Sequence, residues 1–481
     1  MTTTPINELL KRPIAWKTWG ADPTVRRLLS GLQANIVKGH GREHTRNLFW
    51  SFQGADPNDL RAVVRRIGRN MPSALDQLQA AERFKETGVS GGPVLCFFLR
   101  PGGYAALQAA AAAPSAADFV EGMQVRGSSP AVTPPINDPP VAQWDATFQQ
   151  PIDAMLLVAG DTAAEAAQTA DLWKGRLEAA GATLLGFEDG TAIKRRVAEK
   201  FEGVEHFGYV DGRSQPLFLA EDVEGEPRSH WDPAFPPHQF LVQDPGADRP
   251  TSFGSFFVFR KLEQNVKGFK DQEEALSTAL GLAGGPFEER AGALIVGRFE
   301  DGSPVALNPL PTDMPPPNDF TYAGDEQARR CPFVAHIRKT NPRGESPLHI
   351  AQDFGVATTT RQERGHIMAR RGITYGSRVF DDAANDFTDE PTGGVGLLFM
   401  AYMASLSEQF EFTQATWANN PNFVAAGTGA DIVMGQAAAG PIPIADGWSG
   451  GAPVTFSFDR FVTLKGGEYF FAPSRDFLKA V

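Results

Sequence analysis

The alternation of apolar and polar residues predicts four strands and three helices in the first 190 residues. Short apolar stretches have the length of buried strands, and longer stretches repeat apolar residues at helical spacing or are rich in alanine. The predicted strands are 47–52, 93–99, 154–159 and 184–187, and the predicted helices are 58–85, 103–117 and 163–180. This βαβ-βαβ order is typical of a ferredoxin-like sheet with helices on one face.

A similar order begins again after residues 221–249, which are rich in Pro, Asp and Glu. The stretches 255–260 and 394–402 are predicted strands, and 265–282 and 406–417 are predicted helices. A chain of 481 residues is too long for one ordinary core. We therefore expect an α+β protein with two domains, although the two halves share no obvious sequence. The expected boundaries are 1–220 and 251–481, with a linker at 221–250.

Composition narrows the choice of partners. The chain carries 45 basic and 57 acidic residues, a net charge of -12, which repels phosphate backbones and anionic lipid. We expect neither nucleic acid nor a membrane as a partner. Cys96 and Cys331 are too few and too far apart for a disulfide framework or a metal cluster. The first residues show no signal-peptide pattern, so we expect a cytoplasmic protein.

The first segment that could carry chemistry is 205–216, Glu-His-Phe-Gly-Tyr-Val-Asp-Gly-Arg-Ser-Gln-Pro. Gly208 and Gly212 bracket Asp211, which lets the backbone approach a ligand closely and holds the carboxylate in a tight turn. On the residues alone, an ordinary Asp-Gly turn is the commoner explanation.

The second and third segments are 331–343 and 366–376. In the second, His336 follows small or apolar residues, and a single axial imidazole is what a haem iron needs. Arg338, Lys339 and Arg343 follow and could meet the propionates. A satisfied core histidine is the alternative. In the third segment, Arg370 could stabilise developing negative charge, and a surface ion pair is its alternative.

Together these segments closely resemble the dye-decolorising peroxidases. Residues 208–212 match the family's Gly-x-x-Asp-Gly signature, followed by Ser-Gln-Pro. Residues 335–339 match the segment of the proximal histidine, and 370–376 match that of the distal arginine. Their order and separations match as well, and further stretches agree from Gln33 to Phe470.

The resemblance implies a haem peroxidase that uses hydrogen peroxide to oxidise dyes, phenolics and other organic donors by one-electron steps. It implies two ferredoxin-like domains, each an antiparallel sheet with peripheral helices, and haem b held mainly by the C-terminal domain. Asp211 and Arg370 would be catalytic, and His336 would bind the iron. Asp431 would orient that histidine, although Ile432 stands where the family usually has Pro. The cofactor-binding residues implied are His336, Arg338, Gly212, Leu397, Phe399 and Asp431.

Other interpretations stay open at this stage. Arg371 competes with Arg370 for the distal role. Trp417 matches a surface radical site of some members, and a packing role at a helix end is as good an explanation. The rival functions are a non-peroxidase haem-binding protein for haem storage, transport or iron release, and a cofactor-free binding protein of the same fold. The oligomeric state, monomer or homo-oligomer, is also open.

Overall fold

The computed structural model describes residues 4–129, 132–312, 314–349, 358–437 and 440–481. Within these ranges, ten strands form a single sheet, and every pair of neighbouring strands in it is antiparallel. Three separate two-stranded sheets accompany it. The strands are β1 (His44–Ser51), β2 (Val94–Leu99), β3 (Ala154–Gly160), β4 (Thr183–Thr191), β5 (Ile193–Val197), β6 (Lys200–Val204), β7 (Val242–Gln243), β8 (Phe253–Gln264), β9 (Ala369–Arg370), β10 (Ile373–Tyr375), β11 (Phe380–Asp381), β12 (Asp386–Phe387), β13 (Gly396–Met403), β14 (Pro441–Ile444), β15 (Val454–Ser457) and β16 (Val462–Ala472).

The large sheet repeats one strand order. Its path is β10-β13-β8-β16-β2-β3-β1-β4, with β7 beside β8 and β9 beside β13. The first half contributes β1, β2, β3 and β4, and the second half contributes β8, β10, β13 and β16. Within each half, the strands follow one another across the sheet in the order fourth, first, third, second, which is the ferredoxin-like order. The halves join where Phe471 of β16 pairs with Leu99 of β2. The predicted α+β, ferredoxin-like fold class is confirmed, and the domain boundaries at 220 and 251 stay a prediction.

Helices cover the sheet, with two departures from the predicted ends. The predicted helix 58–85 is two helices, because Pro72 lacks an N–H and disfavours helical backbone at the residue before it. Ser73 and Asp76 form a capping box that starts the second of them. The predicted helix 103–117 is wrong in extent, since an α-helix ends at Ala106 and only a 3₁₀ turn, Ala110–Ala112, follows before residue 117.

The α-helices with described ends are α1 (Ile6–Leu9), α2 (Pro23–Gly31), α3 (Pro57–Asn70), α4 (Ala74–Thr87), α5 (Pro101–Ala106), α6 (Ala117–Glu121), α7 (Met123–Arg126), α8 (Ala163–Ala179), α9 (Ala220–Glu224), α10 (Val266–Ala279), α11 (Arg290–Val296), α12 (His336–Thr340), α13 (Thr360–Gly365) and α14 (Arg475–Ala480). The predicted helix 406–417 consists of two π-helical stretches, Leu406–Glu411 and Thr413–Ala418. The 3₁₀ turns are Trp16–Gly20, Ala110–Ala112, Val141–Gln143, Ala146–Gln149 and Pro237–Gln239.

The pleat of β8 and β13 builds one wall of a large cavity. Side chains alternate between the two faces of a strand, and the residues of these two strands that line the cavity are spaced by two. Pairing places Leu397 opposite Leu262 and Phe399 opposite Arg260, so the lining residues of the two strands lie side by side. The intervening Leu398 has no exposed surface and belongs to the hydrophobic core. The lining residues of the two strands are Arg260, Leu262, Gln264, Leu397 and Phe399.

Candidate active site

The cavity has a volume of about 1780 Å³, counting the part that opens to solvent. Its walls come from both halves of the chain. The residues singled out in the sequence that line it are Asp211, Gly212, His336, Arg370, Leu397 and Phe399.

His336 is the first residue of α12, and a buried carboxylate holds its ring. Its Nδ1 lies 2.9 Å from Oδ2 of Asp431, whose side chain has no exposed surface. The other oxygen of Asp431 accepts the N–H groups of Val433 and Met434, at 2.8 and 2.9 Å. Burial lowers the pKa of His336, but the Asp431 carboxylate outweighs burial and the net shift is upward. With Nδ1 engaged, Nε2 is the nitrogen available to a metal.

Asp211 is carried by the loop that follows β6. Val204 and Val210 form an isolated bridge, and the N–H of Asp211 donates to the carbonyl of Gly203 at 2.9 Å. Gly208 makes the turn with a φ of +99°, a conformation that favours glycine. The side chain of Asp211 is 39% exposed, and its Oδ1 lies 3.6 Å from Nη1 of Arg370.

Arg370, in β9, pairs with Ala401 of β13. Its N–H donates to the side-chain oxygen of Gln215, 3.1 Å away, so the Ser-Gln-Pro segment helps to place it. Arg371 does not line the cavity. The Arg371 guanidinium donates to the carbonyls of Asn35, Ile36 and Arg370, each at 2.8 Å. Of the two adjacent arginines, Arg370 is therefore the one that faces the cavity.

Arg338 departs from the expectation that it binds the cofactor, because it does not line the cavity. Its guanidinium is fully buried and forms ion pairs with Asp325 and Glu345. The physical reason is helical geometry. Two residues along an α-helix correspond to a rotation of about 200°, so Arg338 projects from the face of α12 opposite to His336.

Two other arginines line the cavity, as Arg338 was expected to do. Arg298 and Arg343 are buried, line the cavity and both donate to the hydroxyl of Ser214, at 3.2 and 3.0 Å. Their remaining bonds go to backbone carbonyls and one amide oxygen. Neither forms an ion pair with a carboxylate in the described ranges. Burial lowers the pKa of Arg298 to about 9 and that of Arg343 to about 10.

This pair of arginines favours an anionic ligand, since a buried charge without a counter-charge is costly. The sequence offered a signal for Arg343, which follows His336 within the same segment. It offered none for Arg298, which reaches Ser214 only through the tertiary fold.

Trp417 does not lie at the surface, contrary to the surface radical site that the resemblance suggested. The side chain is only 2% exposed. It stacks on Phe423, with ring centroids 5.2 Å apart, and meets the edge of His366 at 5.4 Å. His366 in turn lines the cavity and stacks on Phe412. Trp417 thus belongs to an aromatic cluster behind the cavity wall.

Comparison with known proteins identifies the family. No family model matches the chain. The multifunctional dye peroxidase DyP2 of Amycolatopsis sp. is 42% identical to it over 487 residues, which cover 98% of this chain and 99% of DyP2. The chain belongs to the dye-decolorising peroxidase family. A fungal member, AauDyP1 of Auricularia auricula-judae, is 35% identical over 296 residues, covering 56% of this chain and 55% of AauDyP1.

Solved structures of dye-decolorising peroxidases share the whole fold. The DyP-type peroxidase AnaPX of Anabaena sp. superposes with a TM-score of 0.88 at 36% identity, over 99% of this chain and all of AnaPX. The structure of DyP2 gives 0.87 at 41% identity, over 98% of this chain and all of that structure. The chain is thus a peroxidase, with haem b as the family's cofactor, and not a haem-storage protein. No helix in the described parts of the chain is long and apolar enough to span a membrane.

The residues of the cavity fit haem b. A buried carboxylate leaves one imidazole nitrogen of His336 for the iron. Leu397 and Phe399 supply apolar surface for a porphyrin, and the buried guanidinium groups of Arg298 and Arg343 suit its two carboxylates. Each chemical part of the cofactor therefore has a matching group in this chain.

Proposed function

We propose that haem b binds in this cavity, where His336 Nε2 would hold the iron and Arg298 and Arg343 would hold the propionates. The observation that carries the proposal is the bond between His336 Nδ1 and the buried carboxylate of Asp431. A carboxylate in this position fixes the ring orientation and makes the other nitrogen a stronger ligand. We assign Asp211 and Arg370 to the reaction with peroxide and Leu397, Phe399 and Gly212 to the cavity wall.

When bound, haem b would supply the redox chemistry, namely the reduction of hydrogen peroxide and the one-electron oxidation of organic donors. The carboxylate of Asp211 accepts a proton from one peroxide oxygen and returns it to the other, which leaves as water. The guanidinium of Arg370, 3.6 Å from that carboxylate, stabilises negative charge on the departing oxygen because arginine stays protonated. Asp431 keeps the Nδ1 proton of His336 in place throughout.

We also place the protein in the cytoplasm. Cys96 and Cys331 are free thiols, and both are buried. Such thiols suit a reducing compartment. The net charge of -12 disfavours nucleic acid as a partner and is compatible with uncharged or cationic donors.

The assignment of the iron ligand is tested by replacing His336 and, as a matched control, His366, a second histidine that lines the cavity. After reconstitution with haem b, His336→Ala should lose most of the bound haem or shift its Soret band. His366→Ala should keep the haem content and the spectrum of the wild type. A His336→Ala protein with full haem content and an unchanged Soret band would show that another group binds the iron.

A further inference from the structure

Glu205 lies inside the loop that carries Asp211 and holds the loop in shape. Its two carboxylate oxygens accept the N–H groups of Phe207 and Tyr209, at 2.8 and 3.0 Å. Its own N–H donates to the carbonyl of Tyr209, and its carbonyl accepts the N–H of Gly208. One residue thus closes the loop 205–209 through four hydrogen bonds, just before the chain reaches Asp211.

The same carboxylate ties the loop to the large sheet. The side-chain N–H of Gln264, the last residue of β8, donates to Oε2 of Glu205. Glu205 and Gln264 both line the cavity, as does Asp211. No Lys or Arg in the described ranges lies within ion-pair distance of Glu205, so its contacts are hydrogen bonds to the loop and the sheet. This pattern is that of a group that shapes the loop.

The electrostatic setting of Glu205 agrees with this role. Burial raises its pKa to about 7, and the nearby carboxylate of Asp211 adds to the shift. Loss of hydration makes a carboxylate at this position unfavourable unless hydrogen bonds compensate for it. Two backbone N–H groups would lose their acceptor if Glu205 were absent.

We propose that Glu205 is a positioning residue for Asp211. By accepting the N–H groups of Phe207, Tyr209 and Gln264, it fixes the loop so that the Asp211 carboxylate lies beside Arg370 and towards the peroxide. The inference rests on the proposed role of Asp211. Glu205 itself takes no proton from the substrate in this account.

The test uses the haem-loaded protein and the second-order rate of its reaction with hydrogen peroxide, followed by stopped-flow absorbance of the Soret band. Glu205→Ala should slow this reaction roughly 10- to 100-fold, because Asp211 loses its fixed position. Glu205→Gln retains one acceptor oxygen and should fall between Glu205→Ala and the wild type. If the alanine variant fails to fold, Glu205→Gln alone provides the test. Glu202→Ala, three residues earlier in β6, should match the wild type.

A double-mutant cycle separates positioning from a general loss of structure. If Glu205 acts through Asp211, Glu205→Gln should slow the wild type but have almost no effect in an Asp211→Asn background. Equal slowing in both backgrounds would overturn the inference, as would a Glu205→Gln protein as fast as the wild type. If Asp211→Asn alone leaves the rate unchanged, the proposed function fails instead. The two failures are therefore distinguishable.

Discussion

His206 lies next to Glu205 in the loop that carries Asp211, and its side chain has no exposed surface. Its Nε2 lies 2.7 Å from the carbonyl oxygen of Tyr375, so the neutral ring donates there. Burial lowers the pKa of His206 to about 4. The folded protein therefore resists protonation of this ring, whereas the unfolded chain accepts a proton near the ordinary value of about 6.5.

Stability should consequently fall as the pH drops from about 6.5 towards 4, because the unfolded state binds the proton first. Between about pH 7.5 and 5, His206 should account for about 2 kcal/mol of this loss. His206→Gln should reduce the pH dependence of the free energy of unfolding by that amount, measured by denaturant titration at both pH values. His230→Gln, at an exposed position, should leave it unchanged. An unaltered dependence in His206→Gln would contradict the argument.

Single residues also show what the sequence could predict about the site. Asp211, His336 and Arg370 lie in short segments whose pattern is visible along the chain, and all three line one cavity. The contacts of the arginines could not be predicted in this way, because they join residues that come together only in the folded chain. Only the folded chain shows that Arg338 forms ion pairs with Asp325 and Glu345. The same holds for the hydrogen bond from Arg298 to Ser214.

At the scale of elements, the π-helical stretch Thr413–Ala418 places Trp417 in an aromatic cluster. A buried indole cannot touch a bulky dye. Trp417→Phe should therefore change the oxidation rates of a large anthraquinone dye and a small phenol by the same factor. The measurement is the steady-state kcat/KM of the variant relative to that of the wild type, for each of the two donors. Selective loss of activity on the large dye would show that Trp417 passes electrons to it in spite of its burial.

Elements differ in how clearly the sequence predicts them. The four strands predicted in the first half lie on short, largely apolar stretches, and the structure has a strand at each of them. Strands β5 and β6, which are rich in Lys, Arg and Glu, were not predicted. Strand β16 was not predicted, since Gly466 and Gly467 interrupt its apolar pattern. Its register shifts between Leu464 and Gly466, which is typical of a β-bulge. Strand β10 has only three residues, too few to show a period.

At the scale of the whole molecule, the two halves share one sheet, and Gln33 forms hydrogen bonds to both halves where they join. Its side chain bonds to both the N–H and the carbonyl of Phe97 in β2. It also donates to the carbonyl of Pro473, just after β16, and all three distances are 2.8 Å. Gln33 has no exposed surface, so its loss leaves these backbone groups without a partner.

Gln33→Leu should lower the free energy of unfolding by roughly 3 kcal/mol. Because the sheet is continuous, hydrogen exchange should quicken in β3 and in β8 alike, as followed by mass spectrometry. Gln53→Leu, at an exposed position, should leave the rate of hydrogen exchange unchanged in both strands. Faster exchange confined to one half would contradict the expectation that the shared sheet behaves as one cooperative unit.

The central claim is that the carboxylate of Asp211, beside Arg370, moves the proton of peroxide. The most direct measurement is the rate at which the haem-loaded protein reacts with hydrogen peroxide in stopped flow, for wild type and Asp211→Asn. An amide cannot accept the proton, so the variant should react about 100-fold more slowly or worse. Asp171→Asn, at an exposed position of α8, should react like the wild type. An Asp211→Asn rate within about twofold of the wild type would contradict the account, since proton transfer by a side chain contributes far more than that.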